Sequence, residues 1–110
     1  MLFSIHTIYL VEHCVDLRKS FDGLAREAQL LGIDLREGEA AVFVSRNKRL
    51  LKLLRADKTG LILTQKRFYR GAPGPRISFL ENPESREITQ SELMQFFEGG
   101  ESQFSSKTLK

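Results

Sequence analysis

The chain has no tryptophan, one cysteine, two histidines and three prolines among its 110 residues, and each scarcity closes off a class of protein. A single thiol, Cys14, cannot form an internal disulfide, which points to a reducing compartment. His6 and His13 with that one cysteine do not supply the four ligands of a structural zinc site. The longest apolar runs, residues 40–44 and 50–54 (the second broken by Lys52), are far shorter than the roughly 20 residues that cross a bilayer. Met1-Leu2-Phe3-Ser4-Ile5 carries no basic residue ahead of an apolar stretch, so no secretory signal is expected. The expectation is a cytoplasmic protein without membrane association.

Catalytic constellations are missing as well. Residues 71–75 are glycine- and proline-rich, but they lack the lysine and the strand–helix setting of a phosphate-binding loop. His13 and Cys14 are neighbours, and neighbours at a strand end point to opposite faces, so they cannot act as base and nucleophile. Cys14 reads instead as a buried, inert thiol. The acids fall in loops and on helix surfaces rather than in the pairs that hold two divalent metals. No catalytic residue, no metal site and no cofactor is expected.

Acid is what the middle of the chain lacks most. Residues 46–76 hold ten basic residues and one acid, Asp57, a net +9. The rest holds seven basic and thirteen acidic residues, a net −6. An ordinary solvated surface mixes its signs, so a one-sign segment suggests a surface that faces a polyanion. The plainer alternative is a hairpin whose lysines and arginines discourage edge-to-edge aggregation.

Periodicity supplies the elements. Residues 5–11 are rich in β-branched and aromatic residues and read as a strand. Leu17, Phe21, Leu24, Ala25, Ala28 and Leu31 then fall on one face of a helix over residues 17–31, with Asp16 as its cap and Gly32 as its left-handed terminator. Ala41-Val42-Phe43-Val44 is apolar throughout, as a central strand covered on both faces would be. Residues 50–56 and 61–68 pair about an Asp57-Lys58-Thr59-Gly60 turn, which sets Ala56 against Leu61, Leu54 against Leu63 and Lys52 against Gln65. Arg49, Lys52, Lys66, Arg67 and Arg70 then gather at the far end of the hairpin, with their side chains at the surface. Residues 76–80 are an expected fifth, edge strand. Thr89-Gln90-Ser91-Glu92 is a capping box, with Ile88 and Leu93 as its hydrophobic staple, and it opens a helix ending at Gly99-Gly100.

The expected fold is therefore α+β, a small mixed or antiparallel sheet of about four to five strands in the order strand–helix–strand–strand–strand–(strand)–helix. Residues 1–100 form one domain, and residues 101–110, polar and unpatterned, form a disordered tail.

Nucleic-acid signatures are partial. Lys66-Arg67-Phe68-Tyr69-Arg70-Gly71 interleaves cations with aromatics, a composition suited to phosphate contact and base stacking, although Phe68 is equally placed to be core. No helix reads as a recognition helix, because Arg18, Lys19 and Arg26 are offset by neighbouring acids.

Several segments together resemble a known family. They are Val15-Asp16-Leu17-Arg18-Lys19-Ser20-Phe21-Asp22-Gly23-Leu24, then Val42-Phe43-Val44-Ser45-Arg46-Asn47, then Lys52-Leu53-Leu54 with Asp57 and Gly60, then Lys66-Arg67, and the closing helix from Glu92-Leu93 through Glu98-Gly99. The family is the small accessory protein encoded by the second reading frame of insertion sequence 66 elements, which is unrelated to the RNA-guided nuclease that shares its TnpB label. Leu17 and Ser20 stand where that family usually has methionine and glycine, and Leu54-Arg55 replace an aromatic pair. The resemblance implies a role in DNA transposition beside a separate, larger transposase that cuts the strands. Combined with the charge pattern, it makes DNA the expected partner, held at phosphates by Arg46, Lys48, Arg49, Lys52, Arg55, Lys66, Arg67, Arg70 and Arg76. The rival reading is an adaptor that docks on the transposase through the Phe96-Phe97 helix or an exposed strand edge.

Overall fold

The computed structural model describes residues 5–82 and 84–99. Its elements run β1 (Thr7–Val11), α1 (Phe21–Leu30), β2 (Glu39–Val44), β3 (Leu50–Ala56), β4 (Leu61–Arg67), β5 (Ser85–Ile88) and α2 (Gln90–Glu98). The strands form one mixed sheet in the order β4-β3-β2-β1-β5, so the fold is α+β. β1 and β2 are parallel, and the chain between them, with α1, supplies the crossover that a parallel pair requires. The other pairings between these strands are antiparallel.

Both faces of the sheet are covered, which explains the unbroken apolar run in β2. Ala41 and Phe43 point towards α1 and pack with Val11, Val15, Leu17, Leu24, Ala28, Ile33 and Leu54. Ala40, Val42 and Val44 point the other way and pack with Leu51, Leu53, Phe68, Ile77, Leu93 and Phe96. The five β2 residues from Ala40 to Val44 are all 0% exposed, as expected of a strand in the middle of two layers.

α1 begins at Phe21, a turn later than its apolar spacing suggests. The Asp16 carboxylate does not cap it; it accepts the Arg18 backbone N–H at 3.0 Å and its guanidinium at 2.7 Å. Ser20 occupies the N-cap position without a side-chain bond. Leu17 is buried all the same, as part of an irregular anchor beneath α1, so it matched the apolar spacing without being helical. Phe21, read as inward, is 43% exposed. The other end follows the expected chemistry. Gly32 at φ 81° is left-handed, its N–H donates to Gln29 O, and the Ile33 N–H donates to Ala28 O, both at 2.9 Å. Together these close a Schellman motif.

The fifth strand is Ser85–Ile88, not residues 76–80. It takes the free edge of β1 in a register running from Ile8 opposite Ile88 to Val11 opposite Ser85. Residues 76–80 cross the α2 face instead, with Ile77 buried and Phe79 packed against the core. Their alternation thus reflects a covering segment rather than a ladder. α2 carries the expected capping box, the Glu92 N–H donating to the Thr89 hydroxyl at 3.1 Å and the Thr89 N–H to the Glu92 carboxylate at 2.9 Å. Ile88 and Leu93 are both buried beside it. The tail expected at residues 101–110 lies outside the described residues.

Candidate nucleic-acid interface

The β2–β3 turn is built by two short polar side chains. Ser45 N–H donates to Leu50 O at 3.0 Å, and the Ser45 hydroxyl accepts the Leu50 N–H at 3.1 Å. That hydroxyl donates in turn to Asn47 Oδ1 at 2.9 Å, which also accepts the Arg49 N–H at 3.0 Å. Lys48 completes the reversal at φ 60°, a left-handed conformation uncommon for a lysine. Serine and asparagine favour such turns because their side chains imitate backbone partners. The result is a fixed loop that carries Arg46, Lys48 and Arg49 at one end of the sheet.

Two further segments close on this turn. The loop after β4 is drawn in by Arg49, whose Nη1 donates to Tyr69 O at 2.7 Å and to Ala72 O at 2.5 Å. Gly74 lies so close to Lys48 O that a Cβ there would sit 2.2 Å from it, so only glycine fits. On this side an open cleft of about 570 Å³ is lined by Asn47, Lys48, Arg49, Arg76 and neighbouring loop residues. On the α1 side the anchor before the helix approaches, and a cleft of about 450 Å³ is lined by Asp16, Arg18, Ser45, Asn47, Arg49 and Arg67. Asn47 and Arg49 border both clefts. The acid among these residues is Asp16, and the Arg18 guanidinium and N–H hold its carboxyl well below the usual carboxylate range.

The structure does not keep all nine expected cations together. Arg46, Lys48, Arg49 and Arg76 belong to the turn end, and Arg67 reaches it from the end of β4. Arg70 is exposed in the loop after β4, whose Tyr69 and Ala72 carbonyls Arg49 holds. Lys52 and Arg55, expected at the surface, are each 7% exposed. Lys52 points to the α1 face of the sheet and donates to Lys19 O, in the segment before α1, at 2.9 Å. Arg55 lies near the opposite end, beside Glu37, Asp57 and Lys58. Lys66 is exposed but faces away from Arg67, because adjacent strand residues alternate. It donates to Phe97 O at 2.5 Å in the last turn of α2 and lies 4.7 Å from the Phe68 ring centre. A cation there offsets the negative end of the helix.

The aromatics separate in the same way. Phe68 is core, whereas Tyr69 is 85% exposed. Phe96 is buried and Phe97 packs on the core, so α2 presents neither ring as a docking face. Cys14 is half-buried rather than buried, on the rim of a cleft with Asp16 and Ser45. Among the described residues no three His, Cys, Asp or Glu side chains are grouped to hold a metal ion, and no helix is long and apolar enough to cross a membrane.

Of the segments that carry the family resemblance, Val15–Arg18, Ser45–Asn47 and Arg67 meet at this end of the sheet, whereas Asp57 lies at the opposite end and Glu92 to Glu98 form most of α2. Residues 6–106 match the model of the IS66 Orf2-like proteins. The chain belongs to that family. No curated protein and no solved structure matches the chain. Membership of the IS66 Orf2-like family makes this a transposition-associated accessory protein. Within this family member, Arg18, Ser45, Asn47 and Tyr69 border the turn end although the charge count passed over them. Ser45 and Asn47 were legible as turn formers, whereas the approach of Arg18 depends on where the anchor before α1 packs.

Proposed function

We propose that this Orf2-like protein is a non-catalytic accessory factor of transposition that holds DNA by its phosphates at the β2–β3 turn end of the sheet. The observation that carries this reading is the convergence of Arg18, Arg46, Lys48, Arg49, Arg67 and Arg76 around three adjoining open clefts with Asp16 as the accompanying acid. Cations gathered in this way raise the local potential for a polyanion, while nothing in the clefts resembles a base-reading helix. The ligand is therefore bound with little sequence preference. Contact with about four to six phosphates gives a log–log salt slope of about −4 to −5 for duplex binding by the purified protein. A slope near zero, or no binding at low salt, would overturn the phosphate reading. It would favour an adaptor docking on the transposase along β4, the strand that ends the sheet order.

A further inference from the structure

Phe68 and Tyr69 leave β4 side by side and meet opposite fates. Phe68 is 5% exposed in the core beneath α2, and Tyr69 is 85% exposed. A lone exposed aromatic is common on protein surfaces. What sets Tyr69 apart is the rigidity of its base and the charge beside it. Its carbonyl accepts the Ala72 N–H at 3.0 Å, closing a tight turn in which Gly71, at φ 90°, takes the left-handed position. Arg49 holds both ends of that turn through the Tyr69 and Ala72 carbonyls, and its own carbonyl accepts the Phe68 N–H at 2.7 Å. The ring therefore projects from an immobilised stretch of backbone, flanked in sequence by Arg67 and Arg70, both exposed.

We infer that Tyr69 is a stacking platform for an unpaired nucleobase, which makes single-stranded nucleic acid the preferred ligand of the turn end. The inference rests on the phosphate-binding reading above and adds the part of the ligand that reading leaves open. A duplex hides its base faces, so an exposed ring gains nothing from it beyond phosphate contact by its neighbours. A single strand offers a base face to the ring and phosphates to the flanking arginines, and every base has such a face. Stacking on a side chain whose backbone is already fixed loses little entropy on binding.

The chain supplies its own probe. It has no tryptophan and two tyrosines, Tyr9 and Tyr69, with Tyr9 half-buried in β1. In a Tyr9→Phe background, tyrosine emission reports on Tyr69 alone. Oligothymidylate should quench that emission on binding, and a blunt duplex of equal length should bind without quenching. Tyr69→Ala should weaken oligothymidylate binding about five-fold or more and leave duplex affinity unchanged, while Tyr69→Trp retains the single-strand preference. Unquenched emission at saturation, or equal single-strand affinity in Tyr69→Ala and the parent, overturns the platform and leaves the phosphate reading standing. Failure of the parent protein to bind either ligand at low salt overturns both.

Discussion

Asn47 and Asp57 reverse the chain at opposite ends of the β2–β3–β4 meander with the same device and different surroundings. Asn47 Oδ1 collects the Arg49 N–H and the Ser45 hydroxyl; Asp57 Oδ1 collects the Thr59 N–H at 2.9 Å and the Gly60 N–H at 3.0 Å. Around Asn47 the anchor before α1 and the loop after β4 both close in, bringing arginines from distant parts of the chain. Around Asp57 there is mainly the Glu37-Gly38 corner, tied by a Gly38 N–H to Ala56 O bond of 3.1 Å, and the charge there is mixed. A turn side chain settles how a hairpin reverses. Whether that turn becomes a binding surface depends on what packs beside it.

The sharpest way to break this comparison is to strip the charge from each end in turn. Replacing Arg46, Arg67 and Arg70 together by glutamine should weaken DNA binding across all sequences and flatten the salt slope by about two to three units, near one per lost phosphate contact. Lys58→Gln at the Asp57 end should leave the slope unchanged. Salt-titrated binding of the two variants decides the matter, and an equal loss from both would mean that the basic end is not the working surface.

A smaller effect separates cations that bind from cations that hold the fold. Lys52 lies in the same basic run but is buried against Lys19 O. Lys52→Met should cost about 1–3 kcal/mol in urea unfolding, because it removes the charged donor of a part-buried carbonyl. The folded fraction should keep its affinity for DNA. A Lys52→Met protein of unchanged stability and reduced affinity would return Lys52 to the binding surface.

The smallest effect lies at Asp57. Hydrogen bonds from Thr59 and Gly60, opposed by some desolvation, hold its carboxyl below the usual carboxylate range. A folded pKa below the unfolded value of 3.8 means that its contribution is complete only above about pH 5. Between that point and the depressed folded value the unfolded chain takes up the proton first, so the contribution fades as pH falls. Asp57→Asn, which keeps the acceptor, should leave stability at pH 7 nearly unchanged and flatten the acid limb of a stability–pH profile. Asp57→Ala should lower the urea midpoint at pH 7, since no acceptor remains.

Local physical chemistry written in the sequence determined much of this protein. The Gly32 terminator, the Thr89–Glu92 capping box, the Asp57 turn and the β3–β4 register, with Lys52 opposite Gln65 and Leu54 opposite Leu63, each depend on residues close together in the chain. The start of α1 was misread because Leu17 is buried by an irregular segment, and burial alone does not distinguish that from a helical turn. The fifth strand falls at Ser85–Ile88 rather than residues 76–80 because Ile77 and Phe79 pack onto the core as a covering segment, and only Ser85–Ile88 comes into register with β1. The division of the basic run was likewise a tertiary decision. Adjacent strand residues point to opposite faces, so Lys66 and Arg67 had to part. Which cations were then covered depended on the segment before α1 lying over Lys52, α2 ending beside Lys66, and the loop after β4 folding back onto Arg49. Those contacts join residues 20 or more positions apart, as in the Arg49–Tyr69, Lys66–Phe97 and Lys52–Lys19 bonds. Local propensity does not encode them, because long-range packing selects which of several locally acceptable arrangements buries the most apolar surface.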